Sequence, residues 1–271
     1  MIHYTIQQKD KDEVLSKFIK YCKIDSQSKF GISTTPSTQK QFDMAKMLAS
    51  ELEEIGISAV VSDSCYVYAK IPGNSPSEKT IGFITHMDVS PESPSSNIQP
   101  IVHKTITGEP LTLPSGIIIP KDDLTPYVGQ DIVTSDGTTL LGADDKSAVA
   151  AVMQLICILQ EQGPKIPHGD ILICFTPDEE VSHGASGLDL KQFHPDGAYT
   201  IDGGGFGEIT SETFNAAQFV LSVKGYPVHL GKAYNNLVNA VDAAAHFVSL
   251  LPEVCFKNNT FSNINIYNFL L

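Results

Sequence analysis

Cysteine, positive charge and long apolar runs are all scarce in this sequence, and each shortage excludes a class of protein. The five cysteines are scattered and include no CxxC pair, which argues against a disulfide framework. Lysine and arginine total 18 against 31 aspartates and glutamates, and the net charge of −13 argues against nucleic acid and membrane surfaces as partners. No apolar run approaches the roughly 20 residues of a membrane span, and the N-terminus lacks a signal-peptide pattern. We therefore expect a cytoplasmic protein.

What the sequence does contain is an alternation of strand and helix patterns. Hydrophobic residues make up 42% of the 271 positions, enough to bury a core. The alternation predicts an α/β fold with a mixed, largely parallel sheet flanked by helices. Helices are predicted over 10–22, from 37 or 38 to 56, from 145 to about 162 and over 238–251, and strands over 60–61, 66–71, 80–85, 117–119, 170–176, 198–201 and 218–224.

The pattern changes near Asn215, where a half-exposed strand is predicted to precede a helix. A second module therefore begins there. We expect one domain over residues 1–214 and the start of another over 215–271.

The stretch from Leu140 to Met153 organises the chain. A short apolar strand end runs into a Gly-Ala turn, two adjacent carboxylates and a helix of small residues. Asp144 and Asp145 repel each other, and the single ammonium of Lys146 can offset only one of them. A divalent cation would offset the repulsion better. The alternative is a helix N-terminus that carries acids because the helix dipole favours them.

Acids or a histidine also follow the other buried strands. Ligand sites in open α/β sheets lie beyond the carboxyl ends of the strands, so four segments deliver polar side chains to one rim. Bare carboxylates there would be costly unless they are paired or coordinated. The candidates are His86, Asp88, Asp144, Glu179, Glu180 and Asp202.

Chemical roles follow from the residue types. His86 can supply an imidazole nitrogen to zinc or a similar ion, and Asp88, two residues on, can accept its other ring N–H. Asp144 is placed to bridge two metals, with Asp202 as a terminal ligand. Taken alone, the His-x-Asp pair could instead be a surface polar pair.

Glu179 and Glu180 are adjacent in the chain and are expected to have different chemical roles. One of Glu179 and Glu180 can bind metal while the other accepts a proton from water that the metal acidifies. The alternative is an ordinary acidic loop after a strand.

Together the motifs resemble one family. HMD at 86–88, GADDK at 142–146, TPDEE at 176–180 and DGGGFGE at 202–208 are similar to those of the co-catalytic zinc peptidases of the M20 family, and most similar to its tripeptide aminopeptidase branch. The resemblance implies two Zn²⁺ ions, or another divalent metal, and a cis peptide bond after Asp144. It implies these roles: His86, Asp144, Glu180 and Asp202 as metal ligands with Asp144 bridging, Asp88 orienting His86, and Glu179 as general base.

The resemblance also implies a catalytic domain followed by a lid or dimerisation domain. His229 falls where the family has a lid histidine that contacts substrate, although the family's His-Pro-Gly reads His-Leu-Gly here. A homodimer through the lid would follow. Family chains are longer and supply a further zinc-ligand histidine, so this sequence resembles a C-terminally truncated member.

Three functions are therefore open. The first is a dinuclear zinc aminopeptidase that hydrolyses the N-terminal bond of tripeptides through metal-activated water and a glutamate base. The second is a truncated, non-catalytic remnant of that family. The third is an M20 deacylase of N-acyl amino acids.

Overall fold

The computed structural model describes residues 4–77, 79–205, 207–212 and 221–250. It divides into two compact units, Met1–Glu208 and Ile209–Leu271. The predicted domain boundary at 214/215 lies outside the described residues. The assignment of the units to a catalytic and a lid domain stays a prediction.

Helices and strands alternate along the first unit, as the sequence pattern predicts. The helices are α1 (Gln8–Cys22), α2 (Gln41–Glu54), α3 (Lys121–Leu124), α4 (Ala143–Gln162) and, in the second unit, α5 (Ala240–Ser249). The strands are β1 (Ala59–Val61), β2 (Val67–Ile71), β3 (Ile81–His86), β4 (Ile101–His103), β5 (Leu111–Thr112), β6 (Ile118–Ile119), β7 (Ile132–Thr134), β8 (Ile171–Thr176) and β9 (Gly197–Thr200).

Five strands form the main sheet, in the order β1-β2-β8-β3-β9. Strand β3 lies parallel to both β8 and β9, whereas β2 lies antiparallel to both β1 and β8. The sheet is therefore mixed. In the parallel register His86 is level with Thr176, and Ile84 is level with Thr200. The segments that follow β3, β8 and β9 therefore leave the sheet at the same edge.

The main core lies between one face of the sheet and the three long helices. Helix α4 contributes Val149, Val152, Met153 and Ile156, each at most 1% exposed. Burying an apolar side chain of this size contributes roughly 1.5–3 kcal/mol. This packing fixes the N-terminal end of α4, which carries Asp144, against the sheet.

The starts of two helices differ from the sequence prediction, and side-chain partners explain both differences. Helix α1 begins before Asp10, whose carboxylate accepts the Gln7 N–H at 2.7 Å from the first turn of the helix. Helix α2 begins at Gln41 rather than at 37 or 38. The hydroxyls of Ser37 and Thr38 are engaged elsewhere, by Asp178 and by the Gln27 carbonyl.

The described part of the second unit contains helix α5 and a single antiparallel bridge between Tyr226 and Val238. Of the strand predicted over 218–224, residues 218–220 lie outside the described part, and 221–224 form no strand. Among the described residues, no helix combines the length and the apolar character needed to cross a membrane.

Candidate metal centre

Three carboxylates surround the imidazole of His86, the last residue of β3. Its Nε2 lies 2.9 Å from Asp144 Oδ1, 3.8 Å from Asp202 Oδ1 and 3.9 Å from Glu179 Oε2. The His86 side chain is only 2% exposed, whereas that of Asp144 is 72% exposed. The cluster is thus buried on the side of His86 and open to solvent on the side of Asp144, where ligands can reach it.

The turn before α4 delivers two acids to different places. Gly142 adopts φ +76°, a left-handed conformation that favours glycine, and the Asp144–Asp145 peptide bond is cis, as the family resemblance implies. Asp144 faces the open side, while Asp145 is buried and accepts the backbone N–H of His86 at 3.1 Å. Sequence reasoning gave Asp145 no role.

Lys146 does not offset these carboxylates. Its ammonium is fully buried and donates to the Ile24 carbonyl at 2.5 Å, just beyond the end of α1. Burial lowers the pKa of Lys146 to about 8. Lys146, which follows Asp144 and Asp145 in the sequence, therefore does not form an ion pair with either of them.

Asp88 contacts both sides of the site. Its Oδ1 lies 3.4 Å from His86 Nδ1, and its carbonyl accepts from that nitrogen at 3.1 Å. The carboxylate also accepts the backbone N–H groups of Glu179, at 2.9 Å, and Glu180, at 3.2 Å. A single fully buried aspartate thus connects the histidine to the glutamate turn.

Burial, with a smaller contribution from neighbouring charges, raises the pKa of several acids in the cluster. Burial is the main cause for Glu180, whose pKa rises to about 7 with the charge of Asp144 adding to it, and for Asp145, whose pKa rises to about 8. Burial also raises the pKa of Glu179 and Asp202. For His86, burial alone would lower the pKa, but Asp88 and the other acids outweigh burial and raise it to about 10.

The donor set fits a divalent cation. Ligand atoms of His86, Asp144 and Glu180 lie within 4.8 Å of one another, and so do those of His86, Asp145 and Asp202. One imidazole with several carboxylates is a suitable set for zinc and similar ions. Acids whose pKa values are raised by burial and by each other's charge are stabilised as carboxylates by added positive charge.

A cavity of about 400 Å³ opens beside this cluster. Its lining includes His86, Glu179 and Asp202 of the cluster together with Gly184 and Leu188. The volume lies within the range of about 300–1,000 Å³ that is typical of small-ligand sites.

The structure brings together the six candidate residues that the sequence placed at strand ends: His86, Asp88, Asp144, Glu179, Glu180 and Asp202. Their individual roles stay predictions. His229 belongs to the second unit, where it is exposed and accepts the Gly231 N–H at 3.2 Å, and its predicted contact with substrate is likewise untested.

No protein-family model matches the chain. Curated relatives do match, among them "Peptidase T" of Clostridium acetobutylicum, which is 42% identical over 249 residues, or 89% of this chain and 61% of that protein. Two solved structures share the fold. Aminopeptidase PepT from Bacillus cereus has a TM-score of 0.58 at 22% identity, covering 89% of this chain and 57% of that one. A Staphylococcus aureus tripeptidase has a TM-score of 0.57 at 20% identity, covering 93% and 57%.

The curated relatives and the shared fold confirm the resemblance seen in the sequence. Over about nine tenths of its length, the chain is 40–42% identical to curated proteins named peptidase T. The chain spans about three fifths of the length of the curated relatives it matches.

Proposed function

We propose that this protein is a dinuclear metal aminopeptidase that hydrolyses the N-terminal peptide bond of tripeptides. The observation that carries the proposal is the convergence of three carboxylates on His86 Nε2, with two sets of metal-ligand donors that both include His86. The second ion rests on the family resemblance. The relatives' names, peptidase T and tripeptidase, support the substrate class.

We assign His86, Asp144, Glu180 and Asp202 as the residues that would hold the metal, with Asp144 as the ligand that two ions would share. The preferred ion is Zn²⁺. When bound, such ions supply Lewis-acid chemistry that lowers the pKa of a water molecule and polarises a carbonyl. Asp88 fixes His86 through the ring Nδ1, so that Nε2 is directed at the centre.

Glu179 is the proton carrier. Its side chain is 49% exposed, lines the cavity and lies at the edge of the donor cluster. Its carboxylate accepts a proton from the attacking water and returns it to the nitrogen of the leaving amine. The oxygen of that water becomes part of the new carboxylate of the released residue, so the peptide bond is hydrolysed without net proton change. The raised pKa of Glu179 suits this exchange.

The remaining parts of the proposal rest on the family resemblance. Residues 1–214 would form the catalytic domain, and the following residues a lid that contributes His229 to substrate binding and supports a homodimer. We expect the protein to act on short peptides in the cytoplasm.

Metal content and turnover test the proposal together. We expect about two zinc ions per purified chain and hydrolysis of tripeptides. The Glu179→Gln variant should retain its metal and lose roughly 10²–10⁴-fold in kcat. As a control, Glu109→Gln changes an exposed glutamate outside the centre and should leave both values unchanged.

Three results would contradict the proposal. Turnover of N-acyl amino acids without tripeptide hydrolysis would identify a deacylase. Metal binding without any turnover would identify a binding remnant. Full activity of Glu179→Gln would remove the proposed base.

A further inference from the structure

The glutamate turn after β8 is anchored by a buried aspartate that the proposed mechanism does not use. Asp178 is 1% exposed and adopts φ +56°, a left-handed conformation that aspartate tolerates better than most residues. It reverses the chain immediately before Glu179 and Glu180. Its conformation therefore sets the direction in which both glutamates leave the sheet.

Three donors hold the Asp178 carboxylate, two from Ser37 and one from Gln41, the first residue of α2. The Ser37 N–H donates to Oδ2 at 2.7 Å, and the Ser37 hydroxyl and Gln41 Nε2 donate to Oδ1 at 2.6 and 2.7 Å. In return, the Asp178 N–H donates to Gln41 Oε1 at 3.1 Å. Gln41 is fully buried, so neither partner has water as a substitute.

The far side of the same turn is held by Asp88, which accepts the N–H groups of Glu179 and Glu180. The turn is thus fixed at both ends by buried carboxylates. The end at Asp178 joins the turn to the first residue of α2, Gln41, which lies 137 positions away.

We propose that Asp178, held by Ser37 and Gln41, is the positioning residue that sets the Glu179–Glu180 turn at the metal centre. The inference rests on the proposed function only in taking these glutamates as base and ligand. Loss of the Asp178–Gln41 contact would misplace both glutamates without removing either side chain. Partners of this kind, which touch a ligand-bearing segment rather than the metal, typically change metal affinity or activity by 10–100-fold.

The reciprocal contact allows a test by exchange of groups. In Asp178→Asn, the new amide N–H₂ faces the donors of Ser37 and Gln41 and cannot accept from them. In Gln41→Glu, the new carboxylate faces the carboxylate of Asp178 and repels it. The double variant Asp178→Asn/Gln41→Glu restores one donor facing one acceptor and keeps the net charge. Asp136→Asn is the matched control, because Asp136 also accepts a backbone N–H and a hydroxyl, at 2.8 and 2.7 Å, but in a surface turn.

Three measurements on the full chain distinguish positioning from general stability. Zinc affinity is measured by competition with a chromophoric chelator, tripeptide kcat and KM by steady-state kinetics, and backbone hydrogen exchange of residues 177–183 on metal-free protein. Each single variant should lose 10–100-fold in zinc affinity and in kcat, with KM within about twofold, and should exchange faster over 177–183. The double variant should recover to within about threefold of the parent, and the control should match the parent.

The proposal would be overturned if the single variants had a lower melting temperature but kept the parental zinc affinity, kcat and rate of hydrogen exchange at 25 °C. A double variant as impaired as the singles would also overturn it. If the parent hydrolyses no tripeptide, the proposed function fails on its own, and hydrogen exchange in metal-free protein still decides whether Asp178 holds the turn.

Discussion

Replacing Asp88 by asparagine tests whether one buried carboxylate holds the histidine and the glutamate turn together. The carboxylate accepts two backbone N–H groups, from Glu179 and Glu180, and lies beside His86 Nδ1. Asparagine keeps one acceptor oxygen and places an N–H₂ group where the other oxygen stood. One backbone N–H is then left without an acceptor.

The expected loss follows from that single unsatisfied donor. Leaving a buried donor unpaired costs about 1–3 kcal/mol. For a chain of this size, about 2 kcal/mol corresponds to a fall in Tm of roughly 4–8 °C. Because Asp88 is a principal cause of the raised pKa of His86, that pKa should also fall below its value of about 10.

Thermal unfolding of metal-free protein measures the first effect, and NMR titration of the His86 imidazole measures the second. Asp196→Asn is the matched control, because Asp196 accepts the Thr80 N–H at 2.8 Å and pairs with Lys79 at 3.1 Å while remaining 43% exposed. Water can replace those contacts, so the control should lose much less. Equal losses in the two variants, or an unchanged His86 pKa in Asp88→Asn, would refute the reasoning.

Two further predictions concern the same centre. A methyl group at Gly184 would lie 3.1 Å from the Cα of Glu179, so Gly184→Ala should displace that glutamate and lower kcat by roughly tenfold. Gly197→Ala, whose methyl group meets nothing within 4 Å, should keep the parental kcat; equal kcat values in the two variants would contradict the prediction. Burial raises the pKa of Asp145 from 3.8 to about 8, so its contribution to the stability of metal-free protein is complete below pH 4 and is lost as the pH rises to 8. Denaturant unfolding at a series of pH values should show this decline and a shallower one in Asp145→Asn; identical slopes would refute it.

The sequence could predict the fold where the signal is local. Buried strands such as 80–85 and 170–176 are continuous apolar runs, and the acids after them mark the carboxyl edge of a parallel pair. His86, Asp144 and Asp202 could be gathered into one site on that basis, without knowledge of any distance. The resemblance to a family then supplied the cis bond after Asp144, which no local pattern indicates.

Contacts between distant segments could not be predicted in this way. Lys146 stood beside two carboxylates in the sequence, yet its ammonium reaches the Ile24 carbonyl, 122 positions away. A helix was predicted to begin at 37 or 38, but Ser37 lies before α2 and its hydroxyl donates to Asp178. A hydroxyl or ammonium selects its partner from whatever the packed fold places within 3 Å, and periodicity along the chain carries no information about that choice.

The carboxylates of the site fall into two groups, and the division favours a cation at the centre. Asp88 and Asp178 are buried and accept backbone N–H groups, so the protein itself satisfies their charge. Within the described residues, no backbone N–H donates to the carboxylates that face His86 or the open side: Asp144, Glu179, Glu180 and Asp202. Backbone N–H groups thus donate to the acids that shape the turn and not to those around Nε2 of His86. Carboxylates that lie close together without such donors repel one another. A cation bound among them would therefore raise the stability of the folded chain.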